Sequence, residues 1–184
     1  MFDTDRFIAD CRGAGAASGP SGVLEVVSRA VSAPGAILDA LGEPRRAGVQ
    51  VLYRSAELTV FNLIWGPQMC QLPHDHRMWA VIGIYTGRED NILWRRPAGD
   101  PAGRIEAAGA KALSEREAVS LGPDIIHSVL NPVGRLTGAI HVYGGDFFSV
   151  PHSQWDPERL MEEPYDVKRL LALFEESNRL HSLV

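Results

Sequence analysis

Six histidines stand at positions 74, 76, 127, 141, 152 and 181. His74 and His76 are separated by one residue. On an extended strand, residues i and i+2 project from the same face, so two imidazoles converge on one point while Asp75 turns away. Neutral imidazole suits Fe, Zn, Cu or Ni. A third ligand must come from another strand. His127 is suited to this, because it follows the turn Gly122-Pro123-Asp124 and opens an apolar stretch. A His-x-His pair alone is a weak signal, but its setting here favours a metal pair. Pro73 and the Gly66-Pro67 turn precede it, and the apolar run Trp79–Tyr85 and a turn at Gly87 follow it. His152, after Pro151, falls in a loop with room to close over a pocket, although such a histidine is more often simply exposed. His181 is assigned no role. Neither is Cys70, since most buried cysteines are inert packing.

The elements that must hold these side chains are short β segments. From about Gly48 the chain breaks into apolar runs punctuated by Gly, Pro and Asp. The expected strands are Val49–Arg54, Glu57–Trp65, Trp79–Tyr85, Asn91–Arg96, Arg104–Ala107, Ala118–Ser120, Ile125–Leu130 and Leu136–Tyr143. Many short strands with evenly spaced turns suggest a barrel or sandwich rather than βαβ units. Helices flank them. Phe7, Ile8 and Cys11 form a short apolar face, and Gly13 to Gly22 reads as a loop. Ser21 caps a helix carrying Val23 to Val31, and a further helix from Ser32-Pro34 stops at Gly42. Pro157 to Met161 is expected as a short helix. Tyr165 to Leu180 is expected as an amphipathic one, whose stripe Val167, Leu170, Leu171 and Phe174 reads as core contact. The expected organisation is one domain over residues 1–184, with a helical segment 1–42, a barrel 48–150 and a C-terminal helical segment 156–182.

Composition narrows the function classes. The 184 residues carry a formal net charge of -5, with 45% hydrophobic and 22% charged residues. That is ordinary globular composition, and about 70% of the unfolded surface of such a chain is buried on folding. A mildly acidic chain without basic runs argues against nucleic-acid binding. The apolar run Met78 to Tyr85 is far too short to span a membrane. The N-terminus lacks the basic start and apolar core of a signal peptide, and Cys11 and Cys70 read as free thiols. A cytoplasmic location is therefore expected.

The segment from Gly66 through His74 and His76 to Gly87 resembles the first cupin motif. The position of the usual glutamate ligand holds Ala80. The run Gly122 to Asn131 resembles the second motif, keeping Pro123 before His127 and Asn131 after it. The resemblance implies a mainly β, cupin-type double-stranded β-helix, a jelly-roll barrel with N-terminal helices and a C-terminal helix. It also implies His74, His76 and His127 as metal ligands. A three-histidine site without a carboxylate resembles the cysteine dioxygenase-like, or thiol dioxygenase, branch. Phe61-Asn62-Leu63-Ile64-Trp65-Gly66 is similar to that branch's strand leading into the histidine motif. Tyr53-Arg54 stands where the branch carries a substrate-binding arginine. Ala139-Ile140-His141-Val142-Tyr143 resembles its Ser-x-His-x-Tyr relay. The relay serine is Ala139 here, so the outer hydrogen bond to the histidine is missing or replaced. Ala80 and Val81 provide no cysteine for a Cys–Tyr crosslink, as in bacterial members.

The resemblance implies a non-haem Fe(II) dioxygenase, with zinc or nickel as other ions that imidazoles accept. Its substrates would be O2 and a small carboxylated thiol of the cysteine or 3-mercaptopropionate type, and its product a sulfinic acid. Arg54 would pair with the substrate carboxylate, and Tyr143, oriented by His141, would donate a hydrogen bond to oxygen or substrate. Each residue has a plainer reading: Arg54 as a strand residue reaching solvent or a surface carboxylate, His141–Tyr143 as a buried structural pair. A cupin enzyme of another reaction type, or a non-catalytic small-molecule-binding cupin, is the alternative. The expected assembly is a monomer or homodimer.

Overall fold

The computed structural model describes residues 1–100 and 103–181. Two helices come first, α1 (Thr4–Val31) and α2 (Pro34–Leu41). Nine strands follow: β1 (Gly48–Arg54), β2 (Thr59–Trp65), β3 (Cys70–Asp75), β4 (Ala80–Thr86), β5 (Arg88–Arg95), β6 (Glu106–Ser114), β7 (Ala118–Leu121), β8 (Ile126–Leu130) and β9 (Thr137–Tyr143). The chain closes with β10 (Ser153–Trp155), β11 (Glu162–Pro164) and α3 (Val167–His181). One antiparallel sheet has the order β1-β2-β9-β4-β7, the other β11-β10-β3-β8-β5-β6. Strands β2 to β9 thus form two four-stranded layers, 2-9-4-7 and 3-8-5-6. This is the strand order of a jelly roll, the double-stranded β-helix of cupins.

The first sheet is covered on both faces, which is why β2 and β9 are buried at every position. Val60, Ile64, Val81, Ile140 and Val142 face outward against Phe7, Cys11, Val23 and Val27 of α1. Phe61, Ala80, Ile82, Ala139 and Tyr143 face the barrel interior. The two-residue period of a strand therefore separates a packing face from a site face.

The N-terminal helix runs through Gly13 to Gly22, where a loop was expected. The break narrows to Gly19 (φ 60°, ψ -146°), after which Pro20 opens the second stretch. Alanines favour helix, Ala14 packs on the core, and Pro at a first helical position gives up no hydrogen bond. Residues 157–161 are likewise not a helix. They form the loop of the β10–β11 hairpin, in which Asp156 Oδ1 accepts the backbone N–H of Glu158 (3.2 Å) and Arg159 (2.7 Å) and the Asp156 N–H donates to Met161 O (3.0 Å). Strand β3 lay outside the expected strands, and β6 runs well past the expected Arg104–Ala107. The C-terminal helix agrees with expectation to within two residues at its start, and position 182 of the expected segment lies outside the described residues. Phe174 of this helix stacks on Trp65, ring centroids 5.7 Å apart, and so docks α3 on the end of the barrel.

Gly83 marks the tightest approach of α1 to β4. A Cβ there would lie 2.4 Å from Val27 Cγ1 and 2.9 Å from Val31 Cγ1. At an unstrained open position, Gly→Ala stabilises by about 0.4–1 kcal/mol through the unfolded state. Here overpacking reverses the sign, and Gly83→Ala is expected to destabilise by about 1–3 kcal/mol. Differential scanning calorimetry reads this as a lower Tm. A raised Tm would mean that α1 does not pack on β4 as described.

Candidate metal centre

Strands β3 and β8 pair antiparallel with His74 directly opposite His127. Both imidazoles thereby reach the barrel interior from neighbouring strands. His76 follows the last residue of β3, and Arg77 (φ 51°) turns the chain immediately after it. The Nε2 atoms of His74 and His76 lie 3.1 Å apart, those of His76 and His127 3.3 Å apart. All three side chains are buried. Asp75 turns outward as expected: its Oδ1 accepts the Ser153 N–H (2.8 Å), and Arg77 pairs with its other oxygen (3.4 Å).

The surrounding hydrogen bonds settle two tautomers. His74 Nδ1 lies 2.9 Å from the Leu72 carbonyl, which only accepts, so the proton sits on Nδ1 and Nε2 is bare. His127 Nδ1 lies 2.6 Å from Asn91 Oδ1, while the Asn91 amide donates to Glu89 (3.0 Å), so His127 Nε2 is bare as well. Two lone pairs therefore face one point beside His76 Nε2, which has at most one proton to offer. A cation satisfies all three nitrogens. Nitrogens bound at roughly 2.1 Å to a single ion lie about 3.0–3.4 Å from one another for ligand angles between octahedral and tetrahedral, the spacing seen for the His74–His76 and His76–His127 pairs. The three residues fit a metal, and the donor set is compatible with Fe, Zn, Cu or Ni.

Burial lowers the proton affinity of all three histidines, and repulsion from neighbouring histidines adds to it. His74 falls to about 4, while His76 and His127 fall well below the usual value. They are neutral near pH 7, the state that a metal requires.

His141 and Tyr143 of β9 line the same cavity. His141 Nδ1 lies 3.1 Å from the Tyr143 hydroxyl. Burial pushes the Tyr143 phenol well above its usual value, so it stays protonated. Ala139 leaves the outer side of the relay to Glu89. Its Oε2 lies 3.5 Å from His141 Nε2, at ion-pair distance, and accepts the Trp65 indole N–H (2.7 Å). Burial alone would raise the Glu89 carboxyl. The attraction of His141 and the donors Asn91 and Trp65 outweigh it, so the group is held below the usual carboxylate value, as an anion.

Glu89 and Asn91 were not among the expected site residues. On β5 they alternate with Asp90, which pairs outward with Arg88 (2.7 Å). A polar residue at alternate positions reads as a solvent face, so the buried pair carried no distinguishing signal.

The cavity above the centre has a volume of about 400 Å³. Phe61, Leu63, Trp65 and Val129 surround its base, and Phe147, Phe148, Val150, Pro151 and His152 form one wall. Val167, Leu170 and Leu171 form another, so these three residues of the α3 stripe line the cavity, while Phe174 is core contact as expected, with Leu170 packed beside it. His152 is also part of the site: its Nε2 donates to Phe147 O (2.7 Å), and its ring packs 4.5 Å from that of Phe147. Tyr165 closes the cavity beside Gln71, whose amide donates to its hydroxyl (2.9 Å).

Arg54 does not line the cavity. Its guanidinium is held by both oxygens of Asp146 (2.8 and 2.9 Å) and lies over the Phe148 ring, 4.6 Å from the centroid. The structure thus brings together His74, His76, His127, His141 and Tyr143 but leaves Arg54 outside, in the plainer role of a strand residue on a surface carboxylate. Cys70 is exposed on β3 and takes no part.

Fold and site define a double-stranded β-helix with a buried three-histidine centre. No family model matches the sequence. Among solved structures, the chain is similar to an RmlC-like cupin family protein with a double-stranded β-helix fold from Methanocaldococcus jannaschii, with 10% identity, a TM-score of 0.47, and coverage of 58% of this chain and 86% of that one. An uncharacterized conserved protein with a double-stranded β-helix domain from Klebsiella pneumoniae gives 12% identity, a TM-score of 0.47, and coverage of 64% and 87%. A DMSP lyase from Ruegeria pomeroyi gives 16% identity and a TM-score of 0.46, with 61% of this chain matched to 53% of the lyase. No helix among the described residues is long and apolar enough to cross a membrane.

Two outcomes are expected. His76→Ala removes one of three converging ligands and should abolish stoichiometric metal uptake, read by inductively coupled plasma mass spectrometry; unchanged metal content would sink the assignment. The metal-free protein should also lose stability on acidification. Unfolded histidine titrates near 6.5, as a rough reference value, whereas His74 resists protonation down to about 4. Between these values the unfolded chain binds more protons, so stability falls as pH falls from 7 towards 4. Urea midpoints that stay flat across this window would contradict the buried, neutral triad.

Proposed function

We propose that the protein is a non-haem iron-dependent dioxygenase that oxidises a small thiol to a sulfinic acid. The observation that carries this reading is a ligand set of three neutral imidazoles, with no carboxylate, beside a Tyr143–His141–Glu89 relay. When bound, the metal would acidify a thiol ligand and supply the redox chemistry that joins O2 to sulfur. The overall change balances without an external reductant: RSH and O2 give RSO2H, both oxygen atoms ending on sulfur.

The chain's own residues supply orientation, a proton and dryness. An N–H at His141 Nδ1 points at the Tyr143 oxygen and frees the phenolic proton for the cavity. A bare Nδ1 would instead take that proton. The buried Glu89 anion lies 3.5 Å from His141 Nε2, on the side of the ring away from Tyr143, and orients the imidazole towards the phenol. Tyr143 then donates its hydrogen bond to substrate or oxygen. Its ring contacts His76 at 5.0 Å between centroids, which sets it beside the metal ligands. Phe61 and Phe147 pack on Tyr143 and keep water from it.

One observation favours a second reading, a metal-dependent enzyme of another reaction type in the same fold. Among the described residues no arginine lines the cavity, so the carboxylate-binding part of the thiol dioxygenase pattern is not reproduced there. Oxygen consumption separates the two. Iron-loaded protein given a panel of small thiols should take up O2 and form the sulfinate, identified by mass spectrometry. Tyr143→Phe should lower kcat by about 10²–10⁴-fold, the usual range for a lost proton donor. If no thiol of the panel elicits oxygen uptake above that of metal-free protein, the dioxygenase reading fails and the second stands.

A further inference from the structure

Resting on the thiol reading above, we infer that the substrate is an uncharged thiol with an apolar body, not a carboxylated or ammonium-bearing one. The cavity lining contains no Lys, Arg, Asp or Glu among the described residues. The nearby cations are engaged elsewhere. Arg54 is clamped by Asp146, which also takes the Ser149 hydroxyl (2.6 Å) and the Phe148 N–H (3.1 Å). Arg77 is spent on Asp75, Glu162 and Ser153. A carboxylate brought into this cavity would give up its water and find no opposite charge on the walls; its one cationic partner would be an ion at the three-histidine centre, the position the thiol itself would take.

The shape of the chemistry runs the other way, towards an apolar guest. About 400 Å³ suits a small molecule, and a mostly apolar wall with a few convergent polar groups at one end is the usual form of such a site. The polar end is the three-histidine centre with Tyr143. At the rim, Phe148, Val167 and Leu171 are 51–52% exposed, so an apolar entrance faces solvent. Two atoms of cavity-lining histidines have no hydrogen-bond partner: His141 Nε2, which faces Glu89, and His152 Nδ1. In the neutral ring, with Nε2 donating to Phe147 O, His152 Nδ1 is a bare acceptor, and it is buried without a partner. A neutral hydroxyl or amide N–H on the guest would satisfy it; a carboxylate, an acceptor itself, would not.

The test measures binding, separately from turnover. Anaerobic iron-loaded protein is titrated calorimetrically with 1-butanethiol, 3-mercaptopropionate, cysteine and 1-butanol. Butanethiol should bind at least tenfold tighter than either charged thiol. Leu171→Arg, a change at an exposed helix position on the rim, should narrow or reverse that ratio by strengthening 3-mercaptopropionate. Equal or tighter binding of 3-mercaptopropionate or cysteine by the unaltered protein overturns the inference, as does failure of butanethiol to bind. If butanol matches butanethiol and both exceed the charged thiols, the apolar guest stands while the thiol reading falls.

Discussion

The register between β3 and β8 is the constraint on which the site depends. His74 and His127 are cross-strand partners, and a slip of one residue would turn one of them to the opposite face of the sheet. The two rings are then oriented by their own hydrogen bonds. Asn91, on the neighbouring strand β5, binds His127 Nδ1, and the Leu72 carbonyl of β3 itself binds His74 Nδ1. Each bond also chooses a tautomer, so the contacts that orient the rings are those that bare their Nε2 lone pairs. Packing, hydrogen bonding and ligand chemistry are thus one arrangement. The barrel supplies rigidity, and a metal would answer the lone pairs that rigidity leaves converging.

Glu89 extends that arrangement across the two sheets. It stands on β5 of one layer and contacts Trp65 on β2 and His141 on β9 of the other. A fully buried carboxylate is expensive to desolvate, and removing one partner of such a group costs more than the intact group contributes. Its value here is therefore better sought in direction than in stability. Through Asn91 it reaches a metal ligand, and through His141 it reaches the hydroxyl that faces the cavity. One anion is coupled to both halves of the site.

Much of this was legible in the sequence, and the gaps have physical causes. His74, His76 and His127 stood out because a metal needs particular side chains at particular spacings, bounded by turns. Strands β2 and β9 stood out as apolar runs, though burial on both faces hid which residues face inward. Strand β3 was not expected as a strand because Pro73 interrupts it; its pairing with β8 shifts register between Gln71 and His74 to accommodate the break. Most of β6 was missed because it is an exposed edge strand rich in Ala and Gly, with only Leu113 buried. Arg54 lies away from the cavity for a reason the sequence hides: strand position was readable, but the partner Asp146, ninety-two residues away in sequence, was not. Long-range pairing of this kind leaves no local trace.

The carboxylate absent from the ligand set ends up close by. Where related barrels are expected to carry a ligating glutamate, this chain has Ala80, fully buried and paired in register with Tyr143. The short side chain leaves that space to the rings of Tyr143 and Phe61. A carboxylate then returns at Glu89, behind His141 rather than against the metal. Moved back one layer, it no longer adds negative charge to the ligands and instead acts on the relay hydroxyl. The centre keeps three neutral donors, and a metal held by them retains more of its own charge for polarising whatever else it binds. An apolar cavity strengthens that effect, because few dipoles stand between the ion and its guest. The missing ligand, the buried glutamate and the uncharged wall would in this sense act as one device, concentrating the electrostatics of the site on a bound ion and, on the proposed reading, on the Tyr143 hydroxyl.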